Sequence, residues 1–195
     1  MLLKIVENVF QKGQIELMLK IIYFVHGTTI DNENKIATGW LEGELSDLGI
    51  KRSIDLRNKI NFDEIDFVVC SDLKRAIDSA KYVFQGKKEI IYDKRIRECN
   101  YGDLNGKPCN IVVDEEHIEK KFPNGESLKD VELRVRDLCK YLLENHDGKT
   151  IAFVAHKAPQ LALEVITKNI TWNEALEKDW RKTKSWKPGW VYKIK

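Results

Sequence analysis

Two of the four histidines, His26 and His156, directly follow apolar runs over residues 21–25 and 151–155. Such continuous apolar runs read as strands covered on both faces by helices. A third run, residues 67–70, leads into Ser71-Asp72-Leu73-Lys74-Arg75, and a fourth, residues 89–92, precedes a loop carrying Arg97-Glu98. In a parallel α/β sheet, ligands bind just beyond the carboxyl ends of the strands. If the strands are neighbours, that edge receives two imidazoles, a guanidinium and a carboxylate, a set suited to phosphoryl chemistry. A lone histidine at a strand end is more often a satisfied structural residue. The joint placement is what carries the functional reading.

Helical patterns lie between the strands. Ser46 can cap a helix running to about residue 60, and residues 72–84 place Ala76, Ile77, Ala80 and Val83 at helical spacing. Ser127 and Asp130 open the clearest helix, with Leu128, Val131, Val135, Leu138 and Leu142 following, and it should stop near Asp147-Gly148. Thr171 and Glu174 form another capping box, opening a helix to about residue 182. Pro188-Gly189 then turns the chain into a last strand over 190–194. This alternation predicts an α/β fold, a three-layer αβα sandwich with a mostly parallel central sheet. Met18-Leu19-Lys20 is a natural start, so residues 1–17 read as an N-terminal extension ahead of a single domain over 18–195.

Composition sets the bounds. The chain has 195 residues, 43% hydrophobic and 33% charged, the proportions of a globular domain with a surplus of charge. No apolar stretch approaches the ~20 residues that span a bilayer, and no signal peptide is evident, so a cytoplasmic location is expected. The net charge of +2 gives no global attraction to nucleic acid or an anionic membrane. The tail from Lys178 onward concentrates basic residues with Trp180, Trp186, Trp190 and Tyr192 among them. A single-strand nucleic-acid surface is conceivable there, but aromatics anchoring the tail on the core is the favoured reading, with a homodimer contact as a further use. Cys70, Cys99, Cys109 and Cys139 form no C-x-x-C pair, which fits reduced, mostly buried thiols. The histidines show no H-E-x-x-H spacing, so neither metal nor cofactor is expected.

In chain order, His26-Gly27-Thr28-Thr29-Ile30-Asp31-Asn32, Thr38-Gly39-Trp40, Ser71-Asp72-Leu73-Lys74-Arg75-Ala76, the segment from Arg97 to Gly106, Pro123-Asn124-Gly125-Glu126-Ser127 and Val154-Ala155-His156 form six blocks. Together they resemble the histidine phosphatase superfamily, also called phosphoglycerate mutase-like, from about residue 20 to 166. The resemblance implies that His26 is the nucleophile that takes up the phosphoryl group, as a neutral imidazole titrating near its ordinary pH of about 6.5. It implies that Arg75 and His156 clamp the phosphoryl oxygens, and that Glu98 protonates the leaving alcohol and then activates water. Gly27, Thr29, Asn32, Thr38, Gly39 and Tyr101 fall on positions that contact substrate in that family. The substrate implied is a small phosphorylated molecule.

Two departures qualify the resemblance. The family has arginine before the nucleophile, where this chain has Val25, so a charge is missing from the clamp. Lys157 follows His156 where the family usually has a small residue. It either supplies the missing charge from the opposite wall or points into solvent. Arg181 and Lys184 are weaker candidates for the same task. Only 24 residues separate Glu98 from Pro123, and they include Asp114-Glu115-Glu116, poor company for a second phosphate. That favours a metal-independent phosphomonoesterase. The alternatives are phosphoglycerate mutase-type phosphotransfer and a non-catalytic binder of a phosphorylated ligand.

Overall fold

The computed structural model describes residues 18–183 and 189–195. Residues 1–17, Lys184 and Trp186 lie outside the described residues. Along the chain run β1 (Leu19–Val25), α1 (Ile30–Glu33), β2 (Ile36–Ala37), α2 (Asp47–Arg57), β3 (Phe67–Cys70), α3 (Lys74–Phe84), β4 (Ile90–Tyr92), β5 (Lys107–Pro108), α4 (Leu128–Asn145), β6 (Thr150–Ala155), α5 (Lys157–Lys168), α6 (Trp172–Glu177), α7 (Trp180–Thr183) and β7 (Trp190–Ile194). Short 3₁₀ turns fill several of the connections.

The four apolar runs and the last strand form one sheet in the order β4-β3-β6-β1-β7. All its pairings are parallel except β7 against β1. The three strands that carry site residues are therefore neighbours, with β6 in the middle. Val25 pairs with Ala155, and Cys70 with Val154, so His26 and His156 leave the sheet at one level, with Ser71 one step short of it. Successive side chains enter opposite cores, as the pleat requires. Ile21, Tyr23, Val69, Ile151 and Phe153 pack under the helices that follow Ser127, with Leu138 and Leu161 among their neighbours. Phe24, Val68, Cys70, Ala152 and Val154 pack beneath Ala76, Ala80, Val83 and Phe84 of α3, with Leu56 of α2 alongside. This is the three-layer α/β architecture expected from the alternation.

Local signals account for most helix starts. Ser46 caps α2 through Gly49, and reciprocal capping boxes open α4 at Ser127/Asp130 and α6 at Thr171/Glu174. Three expectations are corrected. α2 stops at Arg57, short of residue 60, with Asn58 as its C-cap, and α3 begins at Lys74 rather than residue 72. The helix expected from Thr171 to about 182 breaks after Glu177. There Asp179, only 4% exposed, turns its carboxylate onto the Arg181 N–H at 3.1 Å and so restarts the helix as α7.

The tail folds onto the core. Trp180 stacks on Trp190 at a centroid distance of 5.1 Å, and Tyr192 is buried. The four cysteines are free thiols; Cys70, Cys99 and Cys139 are buried and Cys109 is exposed. Among the described residues no helix is long and apolar enough to cross a membrane.

Candidate active site

His26 sits one residue beyond β1, with its backbone N–H on the Ala155 carbonyl at 3.0 Å. Its ring Nδ1 lies 2.7 Å from the Gly27 carbonyl, an oxygen that can only accept. The imidazole hydrogen therefore belongs on Nδ1, which leaves the lone pair on Nε2. Arg75 Nε donates toward that same Nε2 at 3.4 Å. Burial, reinforced by the Arg75 charge, lowers the His26 pKa to about 3. This corrects the ordinary titration near pH 6.5: the ring stays neutral well into the acid range.

Arg75 is 2% exposed and is held in place by carbonyls, with Nη2 on Gly39 at 2.8 Å and Nη1 on Leu41 at 3.2 Å. Gly39 adopts φ +55°, and a Cβ there would overlap the Asn105 amide oxygen, so only glycine presents this carbonyl. His156 is fully buried, its ring centroid 5.0 Å from that of His26. Its Nε2 meets the Ser71 hydroxyl at 2.8 Å, while Nδ1 is buried with no protein partner. Burial and then the Arg75 charge hold His156 well below the usual histidine range. Tyr23 fixes its peptide from both sides: the phenol donates to the His156 carbonyl at 2.7 Å and accepts its N–H at 3.1 Å.

Glu98 is 7% exposed and reaches the start of α5. Oε1 accepts from the Cys99 and Ala158 N–H groups, both at 2.9 Å, and Oε2 from the Lys157 N–H at 3.1 Å. The carboxylate thus caps a helix about 60 residues away in sequence. Arg134 secures the loop behind it, donating to the carbonyls of Arg95, Arg97 and Glu98 at 2.7, 2.8 and 2.9 Å while pairing with Glu126. Trp40 Nε1 adds a bond to the Glu98 carbonyl at 2.7 Å.

A cavity of about 740 Å³ opens in front of His26, Arg75 and Glu98, with the fully buried His156 behind its wall. His26, Gly27, Asn32, Thr38, Gly39, Arg75, Glu98, Tyr101 and Lys157 all line it. Thr38 donates to Asp31 at 2.8 Å. The Tyr101 phenol is pushed upward by burial and the Glu98 charge, so it stays neutral. Two expectations change. Thr29 is 0% exposed and is not among the residues lining the cavity; its hydroxyl accepts from the Asn32 N–H at 3.0 Å and shapes the entry to α1. Lys157 lines the cavity as an ion-paired group, its ammonium on Asp114, a carboxylate only 8% exposed. Burial is the largest single influence and pulls the Lys157 pKa down, but the charge and hydrogen bond of Asp114, with the Glu98 and Asp179 charges, together outweigh it and the net shift is upward. Val25 packs half-buried against the core and contributes no charge.

Several site residues gave no sequence signal. Asp114, Arg134 and Gln160 act through partners tens of residues distant, and Tyr23 reads simply as part of an apolar strand. Ser71 could have been found from its place after β3, one step short of His156. Among the described residues no group of three or more His, Cys, Asp or Glu side chains is placed to hold a metal ion.

The family model of the histidine phosphatase superfamily (branch 1) matches residues 22–181, most of the chain, and the protein belongs to that superfamily. Fructose-2,6-bisphosphatase TIGAR of Xenopus tropicalis is 31% identical over 143 residues, 64% of this chain and 51% of that protein, so the chain spans about half the length of this relative. Phosphoserine phosphatase 1 of Hydrogenobacter thermophilus is 27% identical over 157 residues, 75% of this chain and 74% of that protein. Among solved structures, a mycobacterial glucosyl-3-phosphoglycerate phosphatase in complex with VO3 superposes with a TM-score of 0.69 at 26% identity, covering 82% of this chain and 86% of the other.

Proposed function

We propose that the protein is a phosphomonoesterase that works through a phosphohistidine at His26. The observation that carries this reading is the His26 ring, its Nδ1 tied to the Gly27 carbonyl and its Nε2 lone pair met by a long 3.4 Å contact from Arg75 Nε. Nε2 attacks phosphorus, the P–O bond to the alcohol breaks, and the leaving oxygen takes a proton from Glu98. Oε2 is the oxygen to carry that proton, because it accepts only one backbone hydrogen where Oε1 accepts two. Glu98, now a carboxylate, takes a proton from water as the water oxygen attacks phosphorus. The P–N bond breaks, returning the lone pair to Nε2 and releasing inorganic phosphate.

The unpartnered Nδ1 of His156 fits the same scheme. When the Ser71 hydroxyl donates to Nε2, the imidazole hydrogen sits on Nδ1, a desolvated donor without a partner until a phosphoryl oxygen arrives. Asn32, Thr38 and Tyr101 supply further polar contacts on the cavity wall. The substrate is a small phosphate monoester, in keeping with the phosphatases among the relatives.

The test is hydrolysis of an aryl phosphate and a panel of alkyl phosphates with EDTA present, alongside acid and alkali treatment of trapped phosphoenzyme. His26→Ala should lower turnover by roughly 10³-fold or more and abolish an acid-labile, alkali-stable label. Turnover that survives His26→Ala would sink the phosphohistidine reading.

A further inference from the structure

Among the described residues, five cationic side chains line the cavity: Arg52, Lys59, Arg75, Lys157 and Arg181. They are not equivalent. Arg52 and Lys59 stand on or just after α2, with Arg52 reaching the Thr28 hydroxyl at 3.3 Å. The point charge of Lys157 is held by Asp114. Arg75 is placed for the reaction but brings a single positive charge. A phosphate monoester carries about two negative charges near neutral pH, spread over its free oxygens. One guanidinium leaves that charge half-matched.

Arg181 is a further guanidinium on the wall, and of the lining arginines other than Arg75 it is the one held by buried side chains. Nη1 is ion-paired with Asp179 at 2.9 Å, Nη2 donates to Gln160 at 3.2 Å, and the guanidinium carbon lies 4.4 Å from the centroid of the Trp180 ring; like Lys157 it is paired, and what distinguishes it is the fork of N–H donors left over. Asp179 and Gln160 are 4% and 2% exposed, so both anchors belong to the core. The break between α6 and α7 is what brings this group round to the cavity. The two hydrogen bonds use two of the five N–H groups of an arginine, and the planar fork keeps donors for an anion in a way that a paired ammonium does not. Its charge also reaches the imidazoles, lowering both His26 and His156.

We propose that Arg181 is the second guanidinium of the phosphoryl site, donating to a non-bridging oxygen of the group transferred to His26 while Asp179, Gln160 and Trp180 hold its plane. This rests on the phosphohistidine reading for its catalytic part and on the cavity alone for its anion-binding part.

The experiment pairs calorimetric titration of inorganic phosphate with steady-state hydrolysis of an aryl phosphate, on wild type, Arg181→Ala, Arg181→Gln and Lys182→Ala. Lys182 is exposed and pairs with Glu115, so its variant should match wild type in both assays. Arg181→Ala should weaken phosphate binding by about tenfold and lower kcat by roughly 10²–10³. Arg181→Gln keeps a donor for Asp179 but no charge; it should show the same losses, and it decides the question if the alanine variant does not fold. Phosphate affinity and kcat within about twofold of wild type in a folded Arg181 variant would overturn the proposal. If wild type binds phosphate but turns over none of the esters, weakened phosphate binding in the Arg181 variants still supports the anion site, while the phosphohistidine reading falls.

Discussion

In the proposed reaction Glu98 gives up a proton and later takes one, yet both of its oxygens already accept backbone hydrogens, two on Oε1 and one on Oε2. That arrangement fixes the carboxyl plane and leaves Oε2 as the working atom. Glu98→Gln should therefore slow alkyl phosphate hydrolysis by roughly 10²–10⁴, with a much smaller effect on formation of the phosphoenzyme from a nitrophenyl phosphate, whose leaving group needs no proton. A rapid-quench comparison of the two substrates checks this, and equal losses would assign Glu98 a structural role. Legibility at this scale divides by distance. His26, Arg75, Glu98 and His156 are visible because strand ends announce them. The partner of Asp114 is not, because the acidic triplet reads only as poor company for a second phosphate until the fold sets Asp114 against Lys157. Arg134 reads as the polar face of α4, and only the tertiary structure turns it onto three carbonyls of the Glu98 loop.

The five strands of the main sheet and helices α2, α4 and α6 were legible because each carries its own local signal: an apolar run, or a side-chain cap within three residues; the two-residue strands β2 and β5 carry none. α5 has neither. His156 caps it with no side-chain bond, Pro159 lies in its first turn, and the carboxylate that satisfies its first N–H groups is Glu98. Its start is a tertiary fact, so no window of neighbouring residues reveals it. The break between α6 and α7 is similar, since Asp179 competes for a backbone N–H only once it is buried. Between β1 and the start of α5, Tyr23 is the coupling piece, bonded to both polar groups of the His156 peptide. Tyr23→Phe keeps the ring packing and removes both bonds. It should cost about 1–3 kcal/mol in stability and lower kcat more than it raises KM, as His156 loses its fixed position. Urea denaturation and steady-state kinetics on the same preparation read both effects; an unchanged kcat would mean that packing alone positions His156.

At the scale of the whole molecule, the two imidazoles kept neutral in the folded site tie activity to acid sensitivity. In the unfolded chain each titrates near 6.5, whereas in the native state His26 is lowered to about 3 and His156 is well below its ordinary value. Between those limits the unfolded state binds protons that the native state refuses, so stability falls as pH drops from about 6.5 toward 3. Each histidine contributes up to about one proton to that slope. His26→Ala should flatten it by one such contribution, measurable as the change in urea midpoint between pH 7 and pH 5; a slope identical to wild type would mean that the ring is freely protonated in the native state. The sheet carries another consequence. β7 lies antiparallel along β1 from Tyr23 back to Leu19, so the strand leading into His26 has a neighbour on each side. Deleting residues 189–195 would bare a row of backbone donors and acceptors on the flank of β1, a ready template for another copy of the same strand. The shortened protein should then associate edge to edge through the very strand that delivers His26, making the C-terminal strand a guard against self-aggregation as well as a part of the core.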